Sequence, residues 1–243
     1  MLSASAVTAE TRNGAVLPWI ESVQDRGFGT IPSVLAQDEV LHLLDDLAHL
    51  KLHRTKAGVR HVLGYAPVAK VATDPRLLEI ARAVLSSEPF PFRATLFDKS
   101  PNANWLVVWH QDTALPLRDR RDMPGWGPWS IKEGIVYAHA PASALCRVLA
   151  LRVHLDESTT QNGPLRVIPG SHRKGLLTDD EVHELATTAP SVDCPVPLGG
   201  VLAMRPMLVH SSSKSKAQNA RRVLHIEYAT SSTVGDGLEL AIA

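Results

Sequence analysis

Apolar residues recur at helical spacing in the first third of the chain. In SVLAQDEVLHLLDDLAHLK they return every three or four residues after Asp38, which predicts a helix that begins near this aspartate. In TDPRLLEIARAVL, either Thr73 or Asp74 can cap a second helix, and Pro75 suits its first turn. We therefore expect a helical N-terminal part over about residues 17–90.

Beyond this part the pattern changes to short apolar runs that are typical of strands. Runs such as FRATLF, RVLALRVHLD, GVLAM and RRVLHIEYA are separated by Gly, Pro and Asn. The pattern predicts a mainly β sandwich or barrel core over about residues 91–230, interrupted by one short helix at EVHELA. Residues 1–16 lack periodicity, so we expect a flexible tail followed by a single domain over 17–243.

Composition limits the partners and the location of the protein. Lysine plus arginine equal aspartate plus glutamate at 25 each in 243 residues, so no net charge attracts nucleic acid. No stretch is apolar enough for a membrane helix, and the N-terminus does not resemble a secretion signal. We expect a soluble, cytoplasmic protein without nucleic acid or membrane partners. Its two cysteines, Cys146 and Cys194, are predicted to be buried thiols.

The first candidate chemistry lies at the end of an apolar run, in WLVVWHQD. Residues two apart on a strand project to the same face, so His110 and Asp112 would present a nitrogen and an oxygen to one point. Such a pair is half of a metal site. The pattern also occurs at His154 and Asp156, where a strand end with a solvated acidic turn is the plainer interpretation.

The C-terminal third supplies the residues that would complete this site. His210 closes another apolar run, and Arg221 opens the next one. Two histidines and one carboxylate form a facial triad that leaves three coordination positions open for a 2-oxo acid and dioxygen, as non-haem Fe(II) oxygenases require. An arginine suits the distal carboxylate of such an acid because it binds in bidentate fashion and keeps its charge.

Three motifs together resemble the phytanoyl-CoA dioxygenase family of Fe(II)- and 2-oxoglutarate-dependent oxygenases. They are the HQD of 110–112, NGPLRVIPGSHRKG of 162–175 and HSSSKSKAQNARR of 210–222. The resemblance covers roughly 92–228 and implies a double-stranded β-helix, the jelly-roll fold of the cupins. It implies Fe(II) binding by His110, Asp112 and His210, and 2-oxoglutarate binding by Arg221 with help from Ser212.

The resemblance also implies a reaction and a choice between the two His-x-Asp copies. The strands expected between the first ligand pair and the last histidine fit after Asp112 but not after Asp156. The implied activity is oxidation, chiefly hydroxylation, of a small molecule with O2 as co-substrate and release of succinate and CO2. Two alternatives are a cupin-like metal hydrolase or isomerase without oxygen chemistry, and a non-catalytic binding or sensor protein.

Further residues are candidates for contacts with the substrate. Residues 113–133 are too rich in Pro, Gly and Trp for an ordinary turn, so we predict a flap over the site with two tryptophans as apolar cover. Other predicted contacts lie on or beside inward-facing strands. The full set is Lys99, Trp126, Trp129, His139 and Arg152. His225 and Glu227 share strand parity with Arg221, so we predict that they orient its side chain.

Overall fold

The computed structural model describes residues 17–55, 58–100, 103–235 and 237–243. The predicted tail, residues 1–16, lies outside them. The helices are α1 (Pro18–Arg26), α2 (Gln37–Ala48), α3 (Ala66–Ala72), α4 (Pro75–Leu85), α5 (Ala142–Leu145) and α6 (Asp179–Thr188), with 3₁₀ turns at Val62–Gly64 and Ser171–Lys174. Within this described part, no helix has both the length and the apolar character needed to cross a bilayer.

Twelve strands of the described chain form three antiparallel sheets. They are β1 (Phe28–Ile31), β2 (Phe90–Lys99), β3 (Val107–His110), β4 (Ala114–Leu117), β5 (Trp129–Lys132), β6 (Ile135–His139), β7 (Val148–His154), β8 (Leu165–Val167), β9 (Val192–Cys194), β10 (Val201–Met204), β11 (His210–Ser212) and β12 (Arg221–Ala229). The main sheet has the order β1-β10-β7-β12-β2, and a second sheet has the order β3-β11-β8-β9. A third, smaller sheet has the order β4-β6-β5.

The main sheet is covered on both faces. Leu149, Leu151 and Val153 of β7 pack in one hydrophobic cluster with the buried side chains of α2 and α4. The alternate residues of β7 project to the other face, toward the second sheet, because successive side chains of a strand point in opposite directions. Every residue of β7 is therefore buried. The polar residues Arg152 and His154 thus lie between the two sheets.

The two predicted N-terminal helices form close to the expected positions. Helix α4 begins as predicted, since the Asp74 carboxylate accepts a hydrogen bond of 2.9 Å from the Arg76 backbone N–H and Pro75 follows the cap. Helix α2 begins at Gln37, one residue before the predicted Asp38, and the Glu39 carboxylate accepts a 2.7 Å hydrogen bond from the Ala36 N–H.

The helical part and the β core are interleaved more closely than the sequence predicted. Strand β1 lies within the predicted helical part of 17–90 and pairs with β10 at one edge of the main sheet. At the other end of the chain, Leu240 bridges Leu117, and the Ala94 N–H donates to the Ala243 carbonyl at 2.9 Å. The core therefore extends beyond residue 230. A single domain over 17–243 stays a prediction.

The prediction of an irregular flap over residues 113–133 was wrong at both ends of the segment. Ala114–Leu117 and Trp129–Lys132 are strands on either side of β6. Pro116 is accepted because β4 lies at the edge of its sheet, where a missing N–H costs little. A two-residue turn joins β5 to β6, in which both Glu133 and Gly134 have positive φ, the geometry that matches strand twist in a tight hairpin.

The prediction of two buried cysteines was half correct. Cys194 on β9 is buried at 3% exposure, but Cys146 is exposed. Cys146 follows the four-residue helix α5, and its neighbours Ala144 and Leu145 fill the core instead. The apolar run that contains Cys146 is thus a short surface helix, and the following strand begins only at Val148.

Candidate metal centre

Two histidines meet across the first strand pair of the second sheet. His110 is the last residue of β3 and His210 the first of β11, and the antiparallel register places them opposite each other. Their ring centroids lie 4.2 Å apart. Directly opposed residues of neighbouring antiparallel strands have close Cβ atoms, so the strand pairing itself brings the two imidazoles together.

Both imidazoles are held in the same way. Nδ1 of His110 donates to the Val108 carbonyl and Nδ1 of His210 donates to the Leu208 carbonyl, each at 2.8 Å. Because a carbonyl oxygen can only accept, each Nδ1 carries a proton, and in the neutral form of each ring Nε2 keeps the lone pair. These lone pairs face the Asp112 carboxylate, at 3.6 Å for His110 and 3.5 Å for His210.

Gln111 fixes the segment that carries Asp112. Its side-chain amide donates to the Gly175 carbonyl at 2.9 Å and to the Met207 carbonyl at 2.7 Å, and its oxygen accepts from the Leu177 N–H at 2.9 Å. The Asp112 N–H donates to the Pro206 carbonyl at 2.9 Å. The middle residue of HQD thus anchors the chain while its two neighbours face the candidate site.

The three side chains have the donor set of a metal site. Their ligand atoms all lie within 4.8 Å of one another. Burial lowers the pKa of His210 to about 4, so its ring is neutral. Burial opposes ionisation of Asp112, but the adjacent imidazoles His210 and His110 hold the pKa of its carboxyl well below the usual range. Burial alone would lower the pKa of His110, but the hydrogen bond and charge of Asp112 outweigh it and raise this pKa. Two imidazoles and one carboxylate are a donor set that suits Fe(II), and their role as ligands stays a prediction.

The second His-x-Asp copy does not form a comparable group. The Asp156 carboxylate accepts hydrogen bonds from the Arg222 N–H at 2.7 Å and from the Arg222 guanidinium at 2.8 Å. His154 is buried at 1% exposure, and neither of its ring nitrogens has a hydrogen-bond partner among the described residues. In that same part of the chain, the first copy with His210 is the one cluster of metal-ligand geometry.

A cavity of about 430 Å³ extends from the candidate metal centre between the two sheets. The end distant from the histidines holds Arg221, Lys99 and Ser212, all of them buried. Lys99 Nζ donates to Ser212 Oγ at 2.9 Å, and Arg221 Nη2 donates to the same oxygen at 3.5 Å. Register explains the cluster, because Lys99 on β2 lies opposite Arg221 on β12.

This end of the cavity carries positive charge without a counter-ion. Among the described residues, no carboxylate lies within ion-pair distance of Lys99, Arg152 or Arg221, and the Nε atoms of both arginines lack a partner. Burial, followed by the neighbouring charges of Arg221 and Arg152, lowers the pKa of Lys99 to about 7. Burial and Arg152 lower the pKa of Arg221 to about 10. An anion bound at this end would stabilise the charged forms of both Lys99 and Arg221.

The partners predicted for Arg221 belong to other side chains. His225 Nδ1 lies 3.1 Å from Nη1 of Arg152, and Glu227 forms a buried ion pair with Arg93. The prediction was wrong because strand parity determines only the face on which a residue lies, not its distance from another residue. Even the four residues from Arg221 to His225 span about 13 Å along a strand, which is beyond the reach of these side chains. Arg222 points to the opposite face, as its parity requires, and pairs with Asp156.

The other predicted contacts divide into two groups. Lys99 and Arg152 line the cavity, and the Arg152 guanidinium lies over the Phe97 ring at 5.2 Å. Trp126 and Trp129 do not line it: Trp126 packs in a hydrophobic cluster beside the small sheet, and Trp129 lies against that cluster. His139 lies outside the cavity, with Nδ1 at 2.7 Å from the Thr113 hydroxyl.

Gly163 has a role that its turn motif did not reveal. It has φ of +67°, and a Cβ at this position would lie 2.3 Å from the Ser213 carbonyl oxygen. The Gly163 carbonyl accepts a 2.9 Å hydrogen bond from Ser212 Oγ. The NGP motif therefore lets the backbone approach closely enough to orient Ser212 toward Lys99 and Arg221.

Comparison with known proteins places this geometry in a family. Residues 23–223 match the phytanoyl-CoA dioxygenase (PhyH) family. The chain belongs to this family. An ectoine dioxygenase of Sphingopyxis alaskensis is 31% identical over 109 residues, which are 45% of this chain and 29% of that protein. An L-proline trans-4-hydroxylase of Streptomyces griseoviridis is 25% identical over 186 residues, 66% of this chain and 62% of that protein.

The match to each of these relatives thus spans less than two thirds of the relative's length. Among solved structures, AviO1 of Streptomyces viridochromogenes superposes with a TM-score of 0.64 at 25% identity over 87% of this chain and 93% of that one. EctD of S. alaskensis with 2-oxoglutarate and 5-hydroxyectoine superposes at 0.68 and 21% identity, over 94% and 81% of the two chains. The predicted double-stranded β-helix is confirmed.

Proposed function

We propose that this PhyH-family protein is an Fe(II)- and 2-oxoglutarate-dependent dioxygenase that hydroxylates a small molecule. The observation that carries the proposal is the combination of two features in one cavity. Ligand atoms of His110, Asp112 and His210 lie within 4.8 Å of one another, and the buried Arg221, which has no carboxylate partner among the described residues, lies at the other end. The EctD structure with 2-oxoglutarate has the same fold and supports this reading.

In this proposal each residue has one task. Nε2 of His110, Nε2 of His210 and a carboxylate oxygen of Asp112 would hold Fe(II), and a set of three protein ligands leaves the metal able to bind 2-oxoglutarate and O2. Arg221 binds the distal carboxylate of 2-oxoglutarate, and the Ser212 hydroxyl supports it. Arg152 contributes further positive charge to the same cavity, because its guanidinium has no carboxylate partner among the described residues.

The proposed cofactor and co-substrates supply the oxidising chemistry. When bound, Fe(II) and 2-oxoglutarate activate O2, so that one oxygen atom goes into succinate as CO2 leaves and the other hydroxylates a substrate C–H bond. The residues of this chain position the reactants relative to one another and exclude bulk water. Aromatic and aliphatic side chains of the cavity lining exclude water, and they include Phe97, Trp105 and Val107.

Succinate formation tests this function against a metal hydrolase or isomerase and against a binding protein. The wild-type protein, given Fe(II), ascorbate, O2 and 2-oxoglutarate, is expected to release succinate slowly without substrate and faster with a substrate from a small-molecule screen. Asp112→Ala should abolish the release because the facial triad loses its carboxylate, and Asp156→Ala should retain it. Succinate release by Asp112→Ala equal to that of the wild type would refute the proposal.

A further inference from the structure

A second cavity, of about 240 Å³, adjoins the candidate metal centre on its other side. Asp112, Arg93, Thr95 and Phe97 line both cavities, so the two spaces meet at the carboxylate of the triad. The second cavity is formed by the segment after β3, by the small sheet and by the loop that carries Arg60. A molecule in this cavity would face the metal centre without displacing 2-oxoglutarate from the Arg221 end.

Three cationic side chains line this second cavity, namely Arg60, Arg93 and Lys132. Arg93 is already neutralised, since it pairs with Glu227 and donates to the Ala114 carbonyl at 2.9 Å. Lys132 has no carboxylate within ion-pair distance in the described ranges, and its Nζ lies over the Tyr137 ring at 4.8 Å.

The acidic groups near this cavity do not balance its positive charge. Glu133 forms an ion pair with Arg60 at 3.8 Å and lies 3.5 Å from Nδ1 of His61, whose pKa is lowered by burial. Among the described residues that line this cavity, Lys132 is therefore the cation left without a carboxylate. Asp112 is directed at the two triad histidines. Burial lowers the pKa of Lys132, the charges of Arg93 and Arg60 lower it further, and Asp112 only partly opposes them.

Neutral hydrogen-bonding groups complete the lining. The Tyr137 hydroxyl lies 2.9 Å from Nε2 of His61, and Thr113 and His139 contact each other at the rim through a 2.7 Å hydrogen bond. The larger cavity, in contrast, has several apolar side chains in its lining, among them Trp105, Leu106 and Leu165. The second cavity is therefore the polar approach to the metal centre, and its chemistry favours a ligand with an anionic group.

We propose that the second cavity binds the primary substrate, and that this substrate is a small acid whose anionic group is held by Arg60 and Lys132. The inference rests on the proposed dioxygenase function and specifies its substrate class. Bound in this way, the acid directs its remaining carbon skeleton toward Asp112 and the metal that the triad holds. Tyr137 and Thr113 provide hydrogen bonds to polar groups along that skeleton.

Sulfate serves as the anionic probe in a direct binding test. The protein is loaded with Zn(II), a diamagnetic ion of the same charge as Fe(II), and with N-oxalylglycine, a non-reacting analogue that fills the 2-oxoglutarate site. Sulfate is then titrated at constant ionic strength while the amide resonances of Thr113, Lys132 and Tyr137 are followed by NMR. We expect the amide chemical shifts of these three residues to change with sulfate concentration and to reach saturation.

Matched variants locate the bound anion. The double variant Arg60→Gln/Lys132→Gln should bind sulfate roughly five- to thirty-fold more weakly, because two partly exposed charge contacts are lost. Lys132→Arg, which keeps the charge, and Arg118→Gln, which changes an exposed arginine outside both cavities, should bind as the wild type does. Arg60→Gln alone keeps Lys132 over Tyr137 and should lose part of the affinity.

Two outcomes would overturn the inference: no saturable shift at the three residues in the wild type, or equal sulfate affinity in the wild type and the double variant. The proposed function is tested separately on metal-free protein of the same variants, loaded under anaerobic conditions with Fe(II) and 2-oxoglutarate, through the charge-transfer absorbance. If that absorbance forms and sulfate binding fails, the substrate class is wrong and the dioxygenase stands. If the absorbance does not form, the function itself is wrong.

Discussion

Arg221 is the residue that separates a 2-oxoglutarate oxygenase from other metal proteins with this fold. Its guanidinium is 3% exposed and has no carboxylate partner in the described chain, whereas that of its neighbour Arg222 pairs with Asp156 on the opposite face of β12. A buried cation of this kind is costly unless a ligand neutralises it. The two adjacent arginines therefore offer a matched pair for testing the site.

We expect Arg221→Leu to weaken 2-oxoglutarate binding strongly. Leaving a buried charged group without its partner costs roughly 2 to 5 kcal/mol, which at about 1.4 kcal/mol per decade is roughly thirty-fold to several thousand-fold in Kd. Calorimetric titration of the Fe(II) protein under anaerobic conditions measures the change. Arg222→Leu should bind 2-oxoglutarate within a few-fold of the wild type. The reverse order of effects would contradict the orientation of β12.

Lys99 gives the same site a dependence on pH. Its pKa of about 7 in the free protein results from burial and from Arg221 and Arg152, so the ammonium is charged below pH 7 and neutral above it. A bound carboxylate favours the charged form, and 2-oxoglutarate affinity should therefore fall as pH rises through 7. Titrations between about pH 6 and 8.5 should show this slope in the wild type.

In Lys99→Met the affinity should be lower at acidic pH and nearly independent of pH over the same range. Iron binding should be retained, because Lys99 contacts Ser212 and the Ser213 carbonyl rather than the triad. A Lys99→Met protein with the full wild-type slope would show that another group sets the pH dependence.

At the scale of secondary-structure elements, the small sheet gives Trp126 and Trp129 a structural role in place of the predicted role in a flap. Trp126 is 7% exposed and packs with Leu115, Leu117 and Ala138, so it belongs to a core rather than to a flap. Trp129 is less buried and lies beside Arg120, whose guanidinium is 5.8 Å from its ring. The two residues should therefore differ in their effect on stability.

We expect Trp126→Ala to lower the free energy of unfolding by roughly 3 to 5 kcal/mol, as other large-to-small changes in cores do. Trp129→Ala should cost clearly less. Urea unfolding of both variants, followed by circular dichroism, measures the difference. If Trp126→Ala kept wild-type stability and lost substrate oxidation alone, a flap over the site would be the better description.

The sequence predicted those elements whose signals are local. The capping aspartate Asp74 and the apolar runs of β7 and β12 were readable because the local sequence preference agrees with the final packing. Strand β1 was missed because its four residues gain stability only by pairing with β10, far along the chain. The β5–β6 hairpin was missed because Glu133 at positive φ carries no turn signal of the usual Asn-Gly kind.

The candidate site shows the same division. His110, Asp112 and His210 could be predicted because strand parity and the family motifs agree, and the structure brings them together. The partners of Arg221 could not be predicted, since parity gives the face of a residue but not its position along the strand. Arg60 and Lys132 were missed for a different reason: they come from a loop and a hairpin that approach the metal centre only through the tertiary fold.

At the scale of the whole molecule, a chain with equal numbers of acidic and basic residues concentrates positive charge in its interior. Lys99, Arg152 and Arg221 lie on one side of the triad, and Arg60 and Lys132 lie on the other. Screening by solvent is weak for the first group, which is buried, and stronger for Arg60 and Lys132, which are partly exposed. Two anionic ligands, 2-oxoglutarate and an acidic substrate, would account for both groups.

The central claim is that the triad and Arg221 form one Fe(II) and 2-oxoglutarate site. Visible absorbance of the protein under anaerobic conditions tests it most directly, because a 2-oxo acid chelated to Fe(II) gives a metal-to-ligand charge-transfer band. The account predicts that the band appears when Fe(II) and 2-oxoglutarate are both present, saturates at one equivalent of iron, and is absent in Asp112→Ala. A wild-type protein that binds Fe(II) yet gives no band at saturating 2-oxoglutarate would contradict the account.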